Sequence, residues 1–264
     1  MHIKANGINF WCEIDGAKDL PADKPWLIFS NSLTTNLAMW AKQAAYFSDR
    51  YRVLRYDQRG HGQSDAPPGA YTFDLLIADA LALMDAFTIA RASFCGLSLG
   101  GATAFGMAQR HADRLDRVIV ADSGCGSRPA LSGELKERIA TVKAEGLAVM
   151  VEPTIARWFP EAIRAANPPY LNEIRRMIST TSVNGFVGCS EALADYDFRS
   201  KANTVKLPVL FVVGSKDGTL PNSMRTLHVE TPDSKFVELP GAGHISNLDQ
   251  ADLFNRAVEE FLKQ

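Results

Sequence analysis

The chain has 264 residues, room for one large domain or one domain carrying an insertion, and enough for a full core. Hydrophobic residues make up 46%, charged residues 22%, and the formal net charge is −2; this is the balance of a soluble globular protein, with no basic surface for nucleic acid. Met1 to Gly7 carry no apolar run, no stretch reaches bilayer length, and Cys12, Cys95, Cys125 and Cys189 show no C-x-x-C spacing; a cytoplasmic protein with reduced thiols, no metal and no membrane contact is expected.

In chain order, Ile8 to Ile14 reads as a strand and is followed by a polar turn. Trp26 to Phe29 is a short continuous apolar run, as in a buried strand of a parallel sheet. It opens into the polar loop Ser30 to Asn36, then a helix containing Trp40. Arg52 to Tyr56 is the next strand, leading into Asp57-Gln58-Arg59-Gly60-His61-Gly62-Gln63-Ser64. A long amphipathic helix is expected over Thr72 to Phe87, a strand over Ala92 to Cys95, a helix after Ser98, and a strand over Arg117 to Ala121. From about Ser127 to Ser200 no good strand is evident, and proline-punctuated helices are expected, clearest over Leu135–Lys143 and Tyr170–Ile178. The strand–helix rhythm returns with Leu207 to Gly214 and Phe236 to Leu239, and closes with a helix over Gln250 to Lys263. Strands alternating with helices predict an α/β protein with a mostly parallel, doubly wound sheet. Residues 1–126 and 201–264 form its core, and 127–200 a helical cap, or lid, over the loop face.

The most informative stretch is Phe94-Cys95-Gly96-Leu97-Ser98-Leu99-Gly100-Gly101. It is a G-x-S-x-G turn between an apolar strand and a helix rich in small residues. A sharp turn of this kind lifts the serine hydroxyl out of the sheet, and crowds the backbone two residues to either side, where Gly96 and Gly100 stand. The bland alternative is a serine capping its own helix. An acyl-transfer serine needs a base and a group that orients the base. With this turn they follow in the order Ser, acid, His. Asp217 in Gly214-Ser215-Lys216-Asp217 follows one late strand, and His244 in Pro240-Gly241-Ala242-Gly243-His244 follows the next. Asp122, after the strand ending at Ala121, is the alternative acid. His2 is terminal, His111 ends a helix, His228 lies on a surface-type helix, and His61 belongs to a structural turn beneath the site. The backbone N–H groups of Leu99 and Leu33 are the expected oxyanion donors. No G-x-G-x-x-G after a strand, P-loop or metal spacing is present, so no cofactor is expected.

With these pieces placed, the chain resembles the 3-oxoadipate enol-lactonases of aromatic catabolism, members of the α/β-hydrolase superfamily. The residues carrying the resemblance are Ser30-Asn31-Ser32-Leu33, the run Arg55 to Ser64, the Ser98 turn, Gly185 to Leu193, and Gly243-His244-Ile245-Ser246-Asn247-Leu248. The chain departs from the family's pattern at Thr34, where glycine is usual, at Leu99, where methionine is frequent, and in the acid loop Asp217 to Pro221. Thr34 places a Cβ beside the oxyanion loop, where it is expected to narrow the pocket. The resemblance implies a small-molecule lactone or ester substrate bearing a carboxylate, opened through an acyl-enzyme on Ser98. An arginine of the inserted segment is then expected to meet the carboxylate. The candidates are Arg128, Arg157, Arg164, Arg175, Arg176 and Arg199, with Arg128 and Trp158 taken as substrate-binding residues. A carboxylesterase, another lactonase, a C–C bond hydrolase, a cofactor-free haloperoxidase-like activity or a non-catalytic receptor would share the same turn. Oligomeric state is not legible.

Overall fold

The computed structural model describes residues 1–16, 24–127 and 129–264. Eight strands form one sheet: β1 (His2–Ala5), β2 (Ile8–Asp15), β3 (Trp26–Ser30), β4 (Arg52–Tyr56), β5 (Ala92–Leu97), β6 (Leu115–Ala121), β7 (Val209–Gly214) and β8 (Ser234–Leu239). Their spatial order is β1-β2-β4-β3-β5-β6-β7-β8. β1 and β2 pair antiparallel, as do β2 and β4, and every later pair is parallel. β1 escapes the sequence reading because it is four residues long, with two of them exposed. It forms as the edge partner of β2 rather than from its own pattern.

Within the sheet, side chains alternate between two cores. Ile28, Phe94, Val118, Val120 and Phe211 face one, and Leu27, Phe29, Cys95, Ile119 and Leu210 face the other. Burial on both faces is why these strands read as continuous apolar runs without polar alternation. The first core takes residues from α2 (Phe73–Ala86), α3 (Leu99–Arg110) and α9 (Leu220–Glu230); the second takes them from α1 (Ala41–Phe47) and α11 (Ala251–Leu262). Thr72 caps α2, its hydroxyl accepting from the Leu75 N–H, so the helix starts one residue later than its periodicity implies.

Between β6 and β7 lie α4 (Pro129–Glu145), α5 (Val151–Trp158), α6 (Glu161–Ala166), α7 (Tyr170–Thr180) and α8 (Val183–Ala194). The two chain segments that lead into and out of these helices are tied together. Gly126 and Asp197 form an antiparallel bridge, and the Ser127 N–H donates to the Tyr196 carbonyl at 2.8 Å. α5 and α7 feed the second core, while α4 and α8 feed the first. A last short helix, α10 (Ser246–Asp249), follows β8. All four cysteines are buried and unbonded. Among the described residues no helix is long and apolar enough to cross a membrane.

Candidate active site

β5 is buried along its whole length and ends against Ser98, whose φ of 56° and ψ of −111° lie outside the regions that L-residues favour. Holding a serine there costs roughly 1–3 kcal/mol, which the surrounding contacts must sustain. The glycines on either side explain how. A Cβ on Gly96 would sit 1.9 Å from the Gly100 carbonyl oxygen, and one on Gly100 would sit 2.3 Å from that of Ser30. The Ser98 N–H donates to the Ala121 carbonyl at 2.9 Å, and the Ser98 carbonyl accepts from the Ser123 hydroxyl at 2.7 Å. Ser98 occupies the N-cap position of α3, yet its side chain makes no capping hydrogen bond. The bland alternative therefore fails on geometry. The residue borders a cavity of about 590 Å³, which it shares with Leu33, Trp158, Asp217 and His244.

Asp217 and His244 approach from adjacent strand ends. The Asp217 carboxylate Oδ2 lies 2.8 Å from His244 Nδ1, with both side chains about nine-tenths buried. That contact commits Nδ1, and Nε2 has no hydrogen-bond partner among the described residues. In this structure no hydrogen bond joins Ser98 Oγ to the ring, a looseness common before substrate is bound. The two loops touch at glycines, since a Cβ on Gly214 would lie 2.1 Å from the Gly243 carbonyl oxygen. Asp122 is placed differently. It is fully buried at the end of β6, with φ of 43°; its Oδ1 accepts the Gly214 N–H at 2.7 Å and its Oδ2 bonds the Ser246 hydroxyl. Burial first, and the neighbouring charge of Asp217 second, push its pKa well above the usual carboxylate range. It braces the acid loop and does not hydrogen-bond the histidine.

The other histidines sit elsewhere. The His2 ring lies edge-on to Trp11, His111 ends α3, and His228 Nδ1 bonds the Ser234 hydroxyl at 2.7 Å. His61 is more interesting. Its Nδ1 lies 3.1 Å from the Arg59 carbonyl, an acceptor, so that nitrogen carries the proton. Its Nε2 then accepts the Thr34 N–H at 3.0 Å. Burial lowers the His61 pKa to about 4, which keeps the ring neutral and the acceptor available.

Thr34 belongs to the loop that follows β3. Asn31 also holds this loop, donating through Nδ2 to the carbonyls of Ser32 and Thr35 at 2.9 and 2.8 Å. The Leu33 and Leu99 N–H groups have no acceptor among the described residues. Leu33 borders the cavity, and Leu99 is the first residue of α3. The expected narrowing by Thr34 does not occur. At φ 63° its side chain is buried, its hydroxyl donates to the Leu33 carbonyl at 2.6 Å, and it does not line the cavity.

The helices between β6 and β7 supply the opposite wall. Trp158 borders the cavity while its side chain is buried, and its ring stacks on that of His244. Arg128 lies outside the described residues. Arg164 donates to the Phe159 carbonyl, Arg175 pairs with Glu152, and Arg176 with Glu173. Arg199 borders the cavity but is held by both carboxylate oxygens of Glu230, at 2.8 and 2.9 Å. Arg157 borders it too, and makes no hydrogen bond or ion pair among the described residues. Arg138, which the sequence reading passed over, is in the same position. It sits in the charged run Glu134-Leu135-Lys136-Glu137-Arg138, which reads as a solvated helix face. Only the packing of α4 over the cavity distinguishes it.

A family model described as the alpha/beta hydrolase fold matches residues 25–251. The chain is 37% identical over 243 residues to 3-oxoadipate enol-lactonase 2 of Acinetobacter baylyi, covering 92% of this chain and 90% of that protein. It is 32% identical over 263 residues to 3-oxoadipate enol-lactonase 1 of the same organism, covering 100% of this chain and 96% of that one. Among solved structures, the enol-lactonase from Burkholderia xenovorans LB400 superposes with a TM-score of 0.94 at 38% identity, over 100% of both chains.

Proposed function

From the premise that this chain belongs to the α/β-hydrolase family, and within it to the 3-oxoadipate enol-lactonases, we propose that it opens 3-oxoadipate enol-lactone to 3-oxoadipate in aromatic catabolism. The observation that carries the reading is the 2.8 Å contact of His244 Nδ1 with Asp217, beside a cavity that also holds an uncapped, strained Ser98.

In this reading the Ser98 oxygen attacks the lactone carbonyl and its proton passes to His244 Nε2. Asp217 fixes the tautomer and stabilises the imidazolium. The free N–H groups of Leu33 and Leu99 receive the developing oxyanion. The ring C–O bond breaks, and the ring oxygen leaves as an enol, taking the proton back from His244. Water, deprotonated by His244, then attacks the Ser98 ester and frees the second carboxylate, and the enol tautomerises to the ketone. An enol is a far weaker base than an amine, so nucleophile activation and oxyanion binding supply most of the acceleration. Residues 127–200 serve as a cap, closing the cavity over the triad and reading the rest of the substrate.

The test is an ultraviolet assay following loss of the enol-lactone chromophore on freshly generated substrate, with an uncharged aryl ester in parallel. Rapid enol-lactone turnover that disappears in Ser98→Ala supports the reading. Aryl-ester turnover without enol-lactone turnover would keep the triad and replace the substrate by a simple ester. Enol-lactone turnover that survives in Ser98→Ala would remove the mechanism.

A further inference from the structure

Gly243, the residue before His244, is conformationally permissive and yet is held on both sides. No side chain fits there, since a Cβ on Gly243 would sit 2.1 Å from the Trp158 carbonyl oxygen and 2.7 Å from Pro160 Cδ. A glycine's φ and ψ are soft, and left free they would swing His244 as a whole. Two hydrogen bonds remove that freedom, one on each flanking peptide plane. The His244 N–H donates to the Trp158 carbonyl at 2.8 Å, and the Gly243 N–H donates to Asp249 Oδ2 at 2.8 Å. With the planes before and after the Gly243 Cα both tied, the place of the His244 Cα is set as well.

Asp249 is the last residue of α10, and an aspartate that closes its own turn would be ordinary there. Its other oxygen has a different partner. Oδ1 accepts the Tyr170 hydroxyl at 2.9 Å, from 79 residues away in the chain. Tyr170 is the first residue of α7, in the inserted segment. Its ring lies 6.1 Å from that of Phe159 between centroids, and Lys42 Nζ stands 5.5 Å from its own centroid. Burial pushes the Asp249 pKa up to about 6 against the pull of its two hydrogen bonds, and the charge of Asp217 adds to the rise. At neutral pH the group is therefore a carboxylate, with both oxygens accepting charge-assisted bonds. Turning its plane toward one donor would lengthen the bond to the other.

We propose that Asp249 is a positioning residue for His244, locked in place by Tyr170, so that the inserted helices set the histidine's backbone twice, through Trp158 directly and through Tyr170 by way of the carboxylate. The proposal rests on the hydrolase reading above for what His244 does. Neither Asp249 nor Tyr170 borders the cavity, so both act on kcat and leave substrate binding alone. Displacing the histidine by about 1 Å costs on the order of 10²-fold in rate. An asparagine can stand in for Asp249, because its amide oxygen accepts the Gly243 N–H while its NH2 donates to the Tyr170 oxygen.

The test uses the whole chain, with aryl-ester and enol-lactone kinetics expressed per folded molecule and the His244 Nδ1 proton resonance as a readout that needs no turnover. D249A should lower kcat by roughly 10- to 100-fold and leave KM within about 3-fold, while D249N keeps kcat within about 3-fold. Y170F should lower kcat by about 3- to 10-fold, and adding it to D249A should cause no further loss, since the tyrosine acts through the carboxylate. The Nδ1 resonance should broaden in D249A and Y170F and stay sharp in D249N. R176Q, which breaks an outer ion pair with Glu173 on the same helix, should change neither readout. D249N as slow as D249A would place the effect in the charge and overturn the positioning. A double variant slower than D249A by the full Y170F factor would overturn the link through Tyr170. Should D249A fail to fold, Y170F decides alone, and native kcat with a sharp resonance there overturns the proposal. Wild-type turnover that neither variant alters sinks the positioning and spares the function. A resonance that broadens in both variants of a protein turning over neither substrate spares the positioning and sinks the function.

Discussion

The indole of Trp158 stacks on the imidazole of His244, with ring centroids 5.6 Å apart and planes 29° from parallel, and the Trp158 carbonyl accepts the His244 N–H at 2.8 Å. Gly243 makes the approach possible, since a Cβ there would sit 2.1 Å from that same carbonyl oxygen. The last residue of α5 is therefore in contact with the histidine through both its ring and its backbone. The inserted helices and His244 form one packed unit here. Trp158→Ala should lower kcat/KM by about 10-fold or more and cost about 3 kcal/mol of stability, because it removes a buried ring and frees the imidazole to rotate. Trp158→Phe should keep most of both. Aryl-ester kinetics beside thermal melts would check the pair, and equal losses in the two variants would show that the stack does not position His244.

The two candidate acids separate by variant. Asp217→Asn should reduce kcat by roughly 10³- to 10⁴-fold with little change in melting temperature, since the hydrogen bond to His244 Nδ1 loses its charge. Asp122→Asn should act mainly on stability, because its carboxylate holds the Gly214 N–H and the Ser246 hydroxyl, and reduce kcat by no more than about 10-fold. Both are read by burst kinetics and a denaturant titration. The opposite ranking in kcat would make Asp122 the functional acid.

Gly214→Ala tests the contact between the loops that carry Asp217 and His244. Its new Cβ would fall 2.1 Å from the Gly243 carbonyl oxygen and 2.5 Å from that of Ala242, and both are backbone atoms that cannot swing aside. Displacing either loop by about 1 Å should cost on the order of 10²-fold in kcat, together with about 1–3 kcal/mol of stability. Near-normal kcat would mean that the two loops can separate without disturbing the Asp217–His244 contact.

His61 predicts a pH signature. Its folded-state pKa is about 4, below the ordinary value of 6.5, so the unfolded chain takes up a proton through the window between them while the folded one does not. His61 therefore contributes its full stability above about pH 6.5 and loses it as pH falls toward 4, by about 3 kcal/mol in all. Asp57 and Asp249, both raised by burial to about 6, act with the opposite sign over much of that range. The difference between wild type and His61→Gln isolates the effect. Denaturant titrations from pH 4 to 7 should show the wild-type advantage growing with pH, and a flat difference would mean that the ring is not held neutral.

Much of the sheet was legible because its strands are buried on both faces and read as unbroken apolar runs, as at Trp26–Ser30 and Val209–Gly214. β1 was not legible, because a short, half-exposed edge strand carries no pattern of its own. The inserted helices were legible only in part. α7 presents a clear apolar stripe, but α8 is interrupted by Gly185 and Gly188, which exist for close packing, against Gly60 and the Tyr71 ring respectively. Their reason lies across the fold and not along the helix.

By itself, then, the sequence determined the doubly wound sheet, the Ser98 turn and the placing of Asp217 and His244 just past late strands. Each of these depends on local chemistry: apolar periodicity, glycines where a Cβ has no room, and polar residues just past strand ends. Tertiary structure alone decided which aspartate meets His244, that Thr34 turns away from the cavity, and which arginines lack partners. Those are matters of distance between segments remote in the chain. Arg138 and Arg176 look alike on their helices, and only packing places one in a cavity and the other against Glu173.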